Sequence, residues 1–361
     1  MASFNKMKIS ILMRYANPPA GGAENSLLTL AKLLSKAHDI QLISLGYKNQ
    51  ETFYQSIPIK EIRFRDMVYD GPLTIREMHK KKIINSKIAD KVIPLISNHS
   101  PDIIISQHEA AFIVPMYKKY SNKIFRWIHM INGLEYTKFQ EPTSSLDYFL
   151  RKIFGRYLET LTIKIIREAD RVIFPSEYLM NKYPKKYASK YDIVSPFISL
   201  KRFLAVNNNS KGKILHIKGT KSKGIEITLE LAKKFPKEKF IICGKIEEKY
   251  LKKISELFNV QLTGYSPMES IYEQSKLLLV PTLNGETFSI SAVEAQAAGL
   301  NVLINKGGIP APKDSFVNSI SLSKWIEALK GGGNRLQRTQ LKRYDCNYQY
   351  KKFIKIIEDM I

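Results

Sequence analysis

Apolar residues recur along this chain in two alternating rhythms. Short unbroken runs at 8–13, 40–45, 102–106, 124–128 and 171–174 have the length and β-branched content of buried strands. Between them the spacing stretches to three and four residues, as at 22–36, where Leu27, Leu30, Ala31 and Leu34 fall on one helical face. A long amphipathic helix is predicted over 145–169. The second half repeats the alternation, with strands at 213–217, 240–243, 260–262, 277–280 and 302–304 and helices starting near Gly224, Glu247, Pro267 and Ser289. Strand and helix in alternation predict parallel sheets covered by helices on both faces. Periodicity fails over 195–209, which ends in an Asn run, so the chain divides there into domains 1–198 and 199–344. Gly331, Gly332 and Gly333 read as a loop before a last helix at 348–361.

Length supports this division, because 361 residues suffice for two cores. Hydrophobic content of 44% is that of a globular protein, and no run of about twenty apolar residues offers a membrane span. The start MASFNKMKISILMR reads as a first strand and not a signal peptide. Cys243 and Cys346 are the only cysteines, which argues against a disulfide framework and for a reducing cytoplasm. Charge adds a constraint: 57 Lys and Arg against 33 Asp and Glu leave +24. Such a surface attracts anionic lipid, nucleic acid or an acidic substrate, and scattered Lys in a Lys-rich composition is the plain alternative. Basic and aromatic residues interleave over 148–171 and 76–91. That pattern suits a helix lying on an anionic membrane, or one that packs its apolar stripe on its own sheet.

The most informative stretch is 281–302, PTLNGETFSISAVEAQAAGLNV. An apolar strand stops at Pro281, a polar loop follows, and a helix begins at about Ser289 and ends at Gly299. The first turn of such a helix leaves backbone N–H groups unpaired, and Phe288, Ser289 and Ile290 would present them to an anion. Glu286 lies before the helix and Glu294 within it, so the two carboxylates reach one pocket from a loop and from a helix turn. Gly219-Thr220-Lys221-Ser222-Lys223-Gly224 is a second strand-to-helix loop with ammonium groups for a diphosphate. In the first half, Gly21 and Gly22 sit where the first strand gives way to a helix. His129 is expected just past the end of the strand 124–128, with His108 its competitor at the end of another.

Two glutamates separated by seven residues, between a strand ending in Pro and an Ala-rich helix, resemble the signature of retaining glycosyltransferases of family 4. The resemblance implies the GT-B fold: an α/β protein of two Rossmann-like, doubly wound domains facing across a cleft, with residues 345–361 crossing back to the first domain. Family members usually carry small Gly residues where this chain has Thr287 and Ser289. They also place an Arg in the loop 219–224, which has none here, so Lys221 or Lys218 would supply the second cation beside Lys223.

By resemblance, Glu294 holds the ribose hydroxyls and Glu286 contacts the donor sugar. Lys223, the backbone at Gly219, Thr287, Phe288 and Ser289, and the Gly21-Gly22 loop neutralise the diphosphate. His129 positions the sugar, and Asn132, Gly133 and Glu135 line the acceptor side.

The expected activity is transfer of a hexose from a UDP- or GDP-sugar to a hydroxyl of a glycan or lipid-linked acceptor in cell-surface glycan or glycolipid synthesis. Neither cofactor nor metal is expected, since the chain lacks an Asp-x-Asp pair, zinc spacing and a Walker loop. A cytoplasmic enzyme, peripheral on the inner face of the membrane and without a nucleic-acid partner, follows. The rival readings are a nucleotide-sugar epimerase of the same fold and a non-catalytic polyanion-binding protein.

Overall fold

In a computed structural model, which describes residues 5–17, 19, 21–46, 48–63, 75–131, 145–207 and 211–361, the chain forms two compact units. One comprises Met1–Phe197 with Tyr350–Ile361, the other Ile198–Gln349. Asn132, Gly133 and Glu135 lie outside the described residues.

The first unit holds one sheet built from β1 (Lys8–Arg14), β2 (Asp39–Gly46), β3 (Gln50–Tyr54), β4 (Ile57–Arg63), β5 (Ile103–Gln107), β6 (Arg126–Met130), β7 (Arg171–Phe174) and β8 (Tyr191–Ile193). Their spatial order is β3-β4-β2-β1-β5-β6-β7-β8, and every pair except β3–β4 is parallel. β1 is covered on both faces, which is why Ile9, Ile11, Leu12 and Met13 read as a run instead of an alternation. The helices Gly22–Leu34, Ile75–His99 and Ser145–Glu168 make the long crossovers that parallel strands require.

One expectation shifts here. The strand predicted at 124–128 runs two residues later, because Ile124 is 90% exposed in the preceding loop while Ser106 pairs with His129 in register. His129 therefore stands inside β6 and not past its end.

The second unit is built on β9 (Lys213–Gly219), β10 (Phe240–Ile246), β11 (Val260–Gly264), β12 (Ser275–Val280) and β13 (Asn301–Ile304), in the order β11-β10-β9-β12-β13 and all parallel. Successive side chains go to opposite faces. Leu215, Ile241, Leu278 and Val302 enter one core. Ile214, Phe240, Leu277, Leu279 and Leu303 enter another, closed by Trp325. Trp325 comes from the helix Leu322–Gly331, which the sequence reading passed over. Gly331 ends that helix, and Gly332, at φ 75°, caps it by donating its N–H to Ala328 and Leu329 carbonyls, so these glycines are not a plain loop.

The stretch 195–209 is likewise more ordered than its lost periodicity suggests. Ile198, Leu200 and Phe203 are buried in the second unit's core, and Lys201–Leu204 is a turn of helix. The last helix, Cys346–Glu358, returns the chain to the first unit. There Phe353 meets Phe197 edge-on at 5.9 Å, and Lys352 Nζ donates to the Ile193 carbonyl at 2.7 Å.

Strand order sets where ligands bind. From β9 the chain moves outward through β10 to β11, then returns to β12 on β9's other side. The loops after β9 and β12 thus flank the point where winding reverses, where open parallel sheets bind ligands.

Candidate active site

The loop after β9 is a short 3₁₀ turn, Lys221–Lys223, ended by Gly224 in the left-handed region at φ 76°. A Cβ there would stand 2.1 Å from the Pro281 carbonyl oxygen, so glycine is required where this loop meets the end of β12. The Leu283 N–H donates to the Ser222 carbonyl at 3.1 Å and ties the loops together.

From below, the fully buried His216 braces the same loop. Its Nε2 faces the Lys218 carbonyl at 3.1 Å and its Nδ1 the Thr228 hydroxyl at 2.8 Å. A carbonyl only accepts, so Nε2 carries the proton and Nδ1 accepts from Thr228. Burial pulls the His216 pKa down to about 4, with the nearby Lys223 adding to the fall and the Lys218 carbonyl opposing it. The neutral ring anchors Lys218, itself at φ 66°.

After β12, Glu286 is fixed on both sides. Its N–H donates to the Lys306 carbonyl at 3.0 Å, and its carbonyl accepts from Gly308 at 2.9 Å. Gly307, at φ 137°, lies so close that a Cβ would stand 2.1 Å from the Glu286 carbonyl oxygen. One Glu286 carboxylate oxygen accepts from Thr282 Oγ1 at 2.8 Å and from the ammonium of Lys223. Thr287 and Phe288 continue the loop, and Phe288 lies beside Tyr344 with ring centroids 6.3 Å apart. Ser289 is the N-cap of the helix Ile290–Ala297, its side chain accepting from the Ala292 N–H at 3.3 Å. The amides of Ile290 and Ser291 open the first turn, where helix geometry supplies no partner.

Glu294, on that helix, has its own surroundings and is 12% exposed. The Tyr272 hydroxyl lies 3.1 Å from one carboxyl oxygen and Arg202 Nη2 3.9 Å from the other. Arg202 is held by Glu269 at 3.2 Å and lies over the Phe203 ring. Burial raises the Glu294 pKa to about 7, against the lowering effects of the Tyr272 hydrogen bond and of Arg202.

The structure thus joins Lys223 to Glu286 directly. It places Lys221 on the same loop and Gly219 at the end of β9, with the Lys221 amide donating to Glu247 at 3.2 Å. Gly21, Gly22 and His129 belong to the first unit. Gly21 is the N-cap of Gly22–Leu34 and is extended at φ −174°, a conformation open to any residue. His129 is fully buried, its Nδ1 3.1 Å from Ser106 Oγ. His108, directly after β5, has a φ of 51°.

Residues 20–202 match the family model of Glycosyltransferase Family 4, and residues 202–317 that of Glycosyl transferases group 1. The chain belongs to glycosyltransferase family 4. A relative described as an uncharacterized 42.6 kDa protein in the cps region of Klebsiella pneumoniae is 26% identical over 323 residues, covering 80% of this chain and 82% of that protein. Sucrose-phosphate synthase from Thermosynechococcus elongatus has a similar structure, with a TM-score of 0.73 at 14% identity over 98% of this chain and 99% of that one. Anabaena HepE, solved in complex with UDP and glucose, gives a TM-score of 0.65 at 14% identity over 98% and 99%. The fold is GT-B, with two Rossmann-like domains, and the chain is a glycosyltransferase.

In this family 4 enzyme, the switch-point loops combine an ammonium group, helix-end amides and two carboxylates of different character. Glu286 is paired with a cation, whereas Glu294 is buried beside a phenol. Three residues escaped the sequence reading. Gly307 was signalled by the Gly-Gly pair after β13. Arg202 lay in a stretch read as linker, and Tyr272 reads as a core aromatic; neither carries a local signal.

Proposed function

We propose that this glycosyltransferase moves a hexose from a nucleoside diphosphate sugar to a hydroxyl of a glycan or lipid-linked acceptor with retention of anomeric configuration. One observation carries the reading: Lys223, Glu286 and the first turn of Ile290–Ala297 are locked together by Gly224, Ser222 and Gly307 at the switch point of the second sheet. A diphosphate seated there meets the Lys223 ammonium and the amides from Phe288 onward, with Lys221 and the backbone at Gly219 and Thr287 beside it. These groups stabilise the charge that grows on the leaving group. Glu286 contacts the donor sugar and Glu294 accepts from the ribose hydroxyls.

In the transfer step the anomeric carbon–oxygen bond to the diphosphate breaks, and the acceptor oxygen bonds to the same face of that carbon. The acceptor's proton passes to the departing diphosphate. Anabaena HepE was solved with UDP and glucose, which makes UDP-glucose the first donor to try. EDTA is expected to leave turnover unchanged, because Lys223 and helix-end amides supply the counter-charge.

For the acceptor, the net charge of +24 and the exposed Phe149, Ile153 and Tyr157 favour a lipid-linked molecule at an anionic membrane surface. These three lie four residues apart on Ser145–Glu168, with Lys152 and Arg156 exposed beside them.

The test is glycosyl transfer to added acceptors by Glu286→Gln and Lys223→Ala. Each is expected to lose roughly 100-fold or more in kcat/KM while keeping the wild-type circular dichroism spectrum. Wild-type turnover in either variant would overturn the proposal, and sugar epimerisation without transfer would replace it with an epimerase.

A further inference from the structure

One carboxylate oxygen of Glu286 is crowded and the other is open. Oε1 accepts from Thr282 Oγ1 at 2.8 Å and from the Lys223 ammonium. Oε2 takes no hydrogen bond from any described residue. The residue has little freedom to turn, since its N–H and carbonyl are tied to Lys306 and Gly308 and Gly307 packs against them. Thr282 is held in turn: its carbonyl accepts from the Asn305 side-chain amide at 3.0 Å and from the Gly285 N–H at 3.2 Å. An acceptor-only oxygen therefore stands beside the ammonium group assigned to the diphosphate. Such an oxygen is favoured by a hydroxyl, which donates, and repelled by a phosphate oxygen, which only accepts. The charge of Lys223 is also divided, because a diphosphate that takes this ammonium shares it with Glu286.

We propose that Glu286 sets the order of affinities at this site, favouring the nucleoside diphosphate sugar over the nucleoside diphosphate that transfer leaves behind. This rests on the assignment of Lys223 to the diphosphate and of Glu286 to the sugar. The two ligands differ in the respects to which Oε2 responds. The nucleotide sugar brings hydroxyl donors to it. The product brings none and, once its terminal phosphate has passed the acceptor's proton to solvent, carries one more negative charge. Before transfer, hydroxyl bonds to Oε2 offset the repulsion between Glu286 and the diphosphate. After transfer the sugar leaves on the acceptor, the repulsion is no longer offset, and the diphosphate is released from Lys223.

Calorimetric titration at pH 8 of UDP against UDP-glucose, and of GDP against GDP-mannose, into wild type, Glu286→Gln, Glu286→Asp and Lys223→Ala tests this. For the pair that binds, Glu286→Gln should hold the nucleoside diphosphate at least about tenfold more tightly than wild type, since an isosteric amide leaves the Lys223 charge undivided. It should hold the nucleotide sugar no more tightly than wild type, because hydroxyl bonds to a charged oxygen are lost. Glu286→Asp keeps the charge and should hold the diphosphate within about threefold of wild type. A merely structural role for Glu286 would give no gain in affinity for any ligand.

Unchanged or weakened diphosphate binding in Glu286→Gln, with Lys223→Ala still weaker than wild type, would overturn this role and leave the diphosphate site standing. An equal gain for both ligands, or a gain in Glu286→Asp as large as in Glu286→Gln, would overturn it in the same way. If neither pair binds wild type, or if Lys223→Ala binds as wild type does, the diphosphate assignment fails and the discrimination fails with it.

Discussion

Glu294 is held at a cost to stability, and the sign of that cost can be tested. Its folded pKa of about 7 exceeds the ordinary 4.5, so the fold holds the proton more tightly than the unfolded chain. Its contribution is fully present below about pH 4.5 and is lost as pH rises through 7. Glu294→Gln should therefore raise the unfolding free energy at pH 8 by on the order of 2–3 kcal/mol and change little at pH 4, as read by urea denaturation. Gly307 has the opposite character. Its φ of 137° and the 2.1 Å approach to Glu286 leave a methyl group no room. Gly307→Ala should cost about 2 kcal/mol or more and lower transfer by displacing Glu286. The meeting of Lys223 with Glu286 and the helix start before Glu294 were legible because they lie in two short strand-loop-helix segments, while the roles given to them come from the family resemblance. Tyr272 and Arg202 were not, because only the packed sheet brings 202, 269, 272 and 294 together.

Strands were the most readable elements, since those covered on both faces leave long apolar runs such as β1 and β12. The hairpin β3–β4 escaped because one of its faces is open and its signal is the weaker alternation of Ile57, Ile59 and Glu61 against Pro58 and Lys60. The helix Leu322–Gly331 escaped because it buries only Trp325 and Leu329, a narrow stripe. His129 was expected just past the end of its strand because the exposed Ile124 looked like that strand's start. Within β9, His216 carries a prediction of its own. Its pKa falls from 6.5 to about 4 on folding, so the unfolded chain takes up the proton first. Stability from this ring is complete above about pH 6.5 and is lost as pH falls toward 4, opposing the slope from Glu294 between pH 4.5 and 6.5. His216→Ala should remove this acid-side slope, measured by thermal unfolding across pH. It should also weaken nucleotide binding by freeing the loop at Lys218. A variant with the wild-type pH slope would show that the ring is not the source.

At the scale of the molecule, the two repeated sheets follow from alternating periodicity and the returning last helix from the family resemblance, whereas the charge of +24 is legible only as a number. Among the described residues no helix is long and apolar enough to cross a membrane. Sedimentation with vesicles containing anionic lipid should be strong at low salt and weak at high salt. It should fall further when Phe149, Ile153 and Tyr157 are changed to Ser; binding indifferent to both would leave the basic surface without this role.

The central claim is that the loops after β9 and β12 grip a nucleoside diphosphate, and calorimetric titration of UDP and GDP into wild type and Lys223→Ala tests it most directly. The account predicts that at least one nucleotide binds the wild type and that the variant binds it at least about tenfold more weakly. Absence of binding by either nucleotide, or equal affinity in the two proteins, would contradict it.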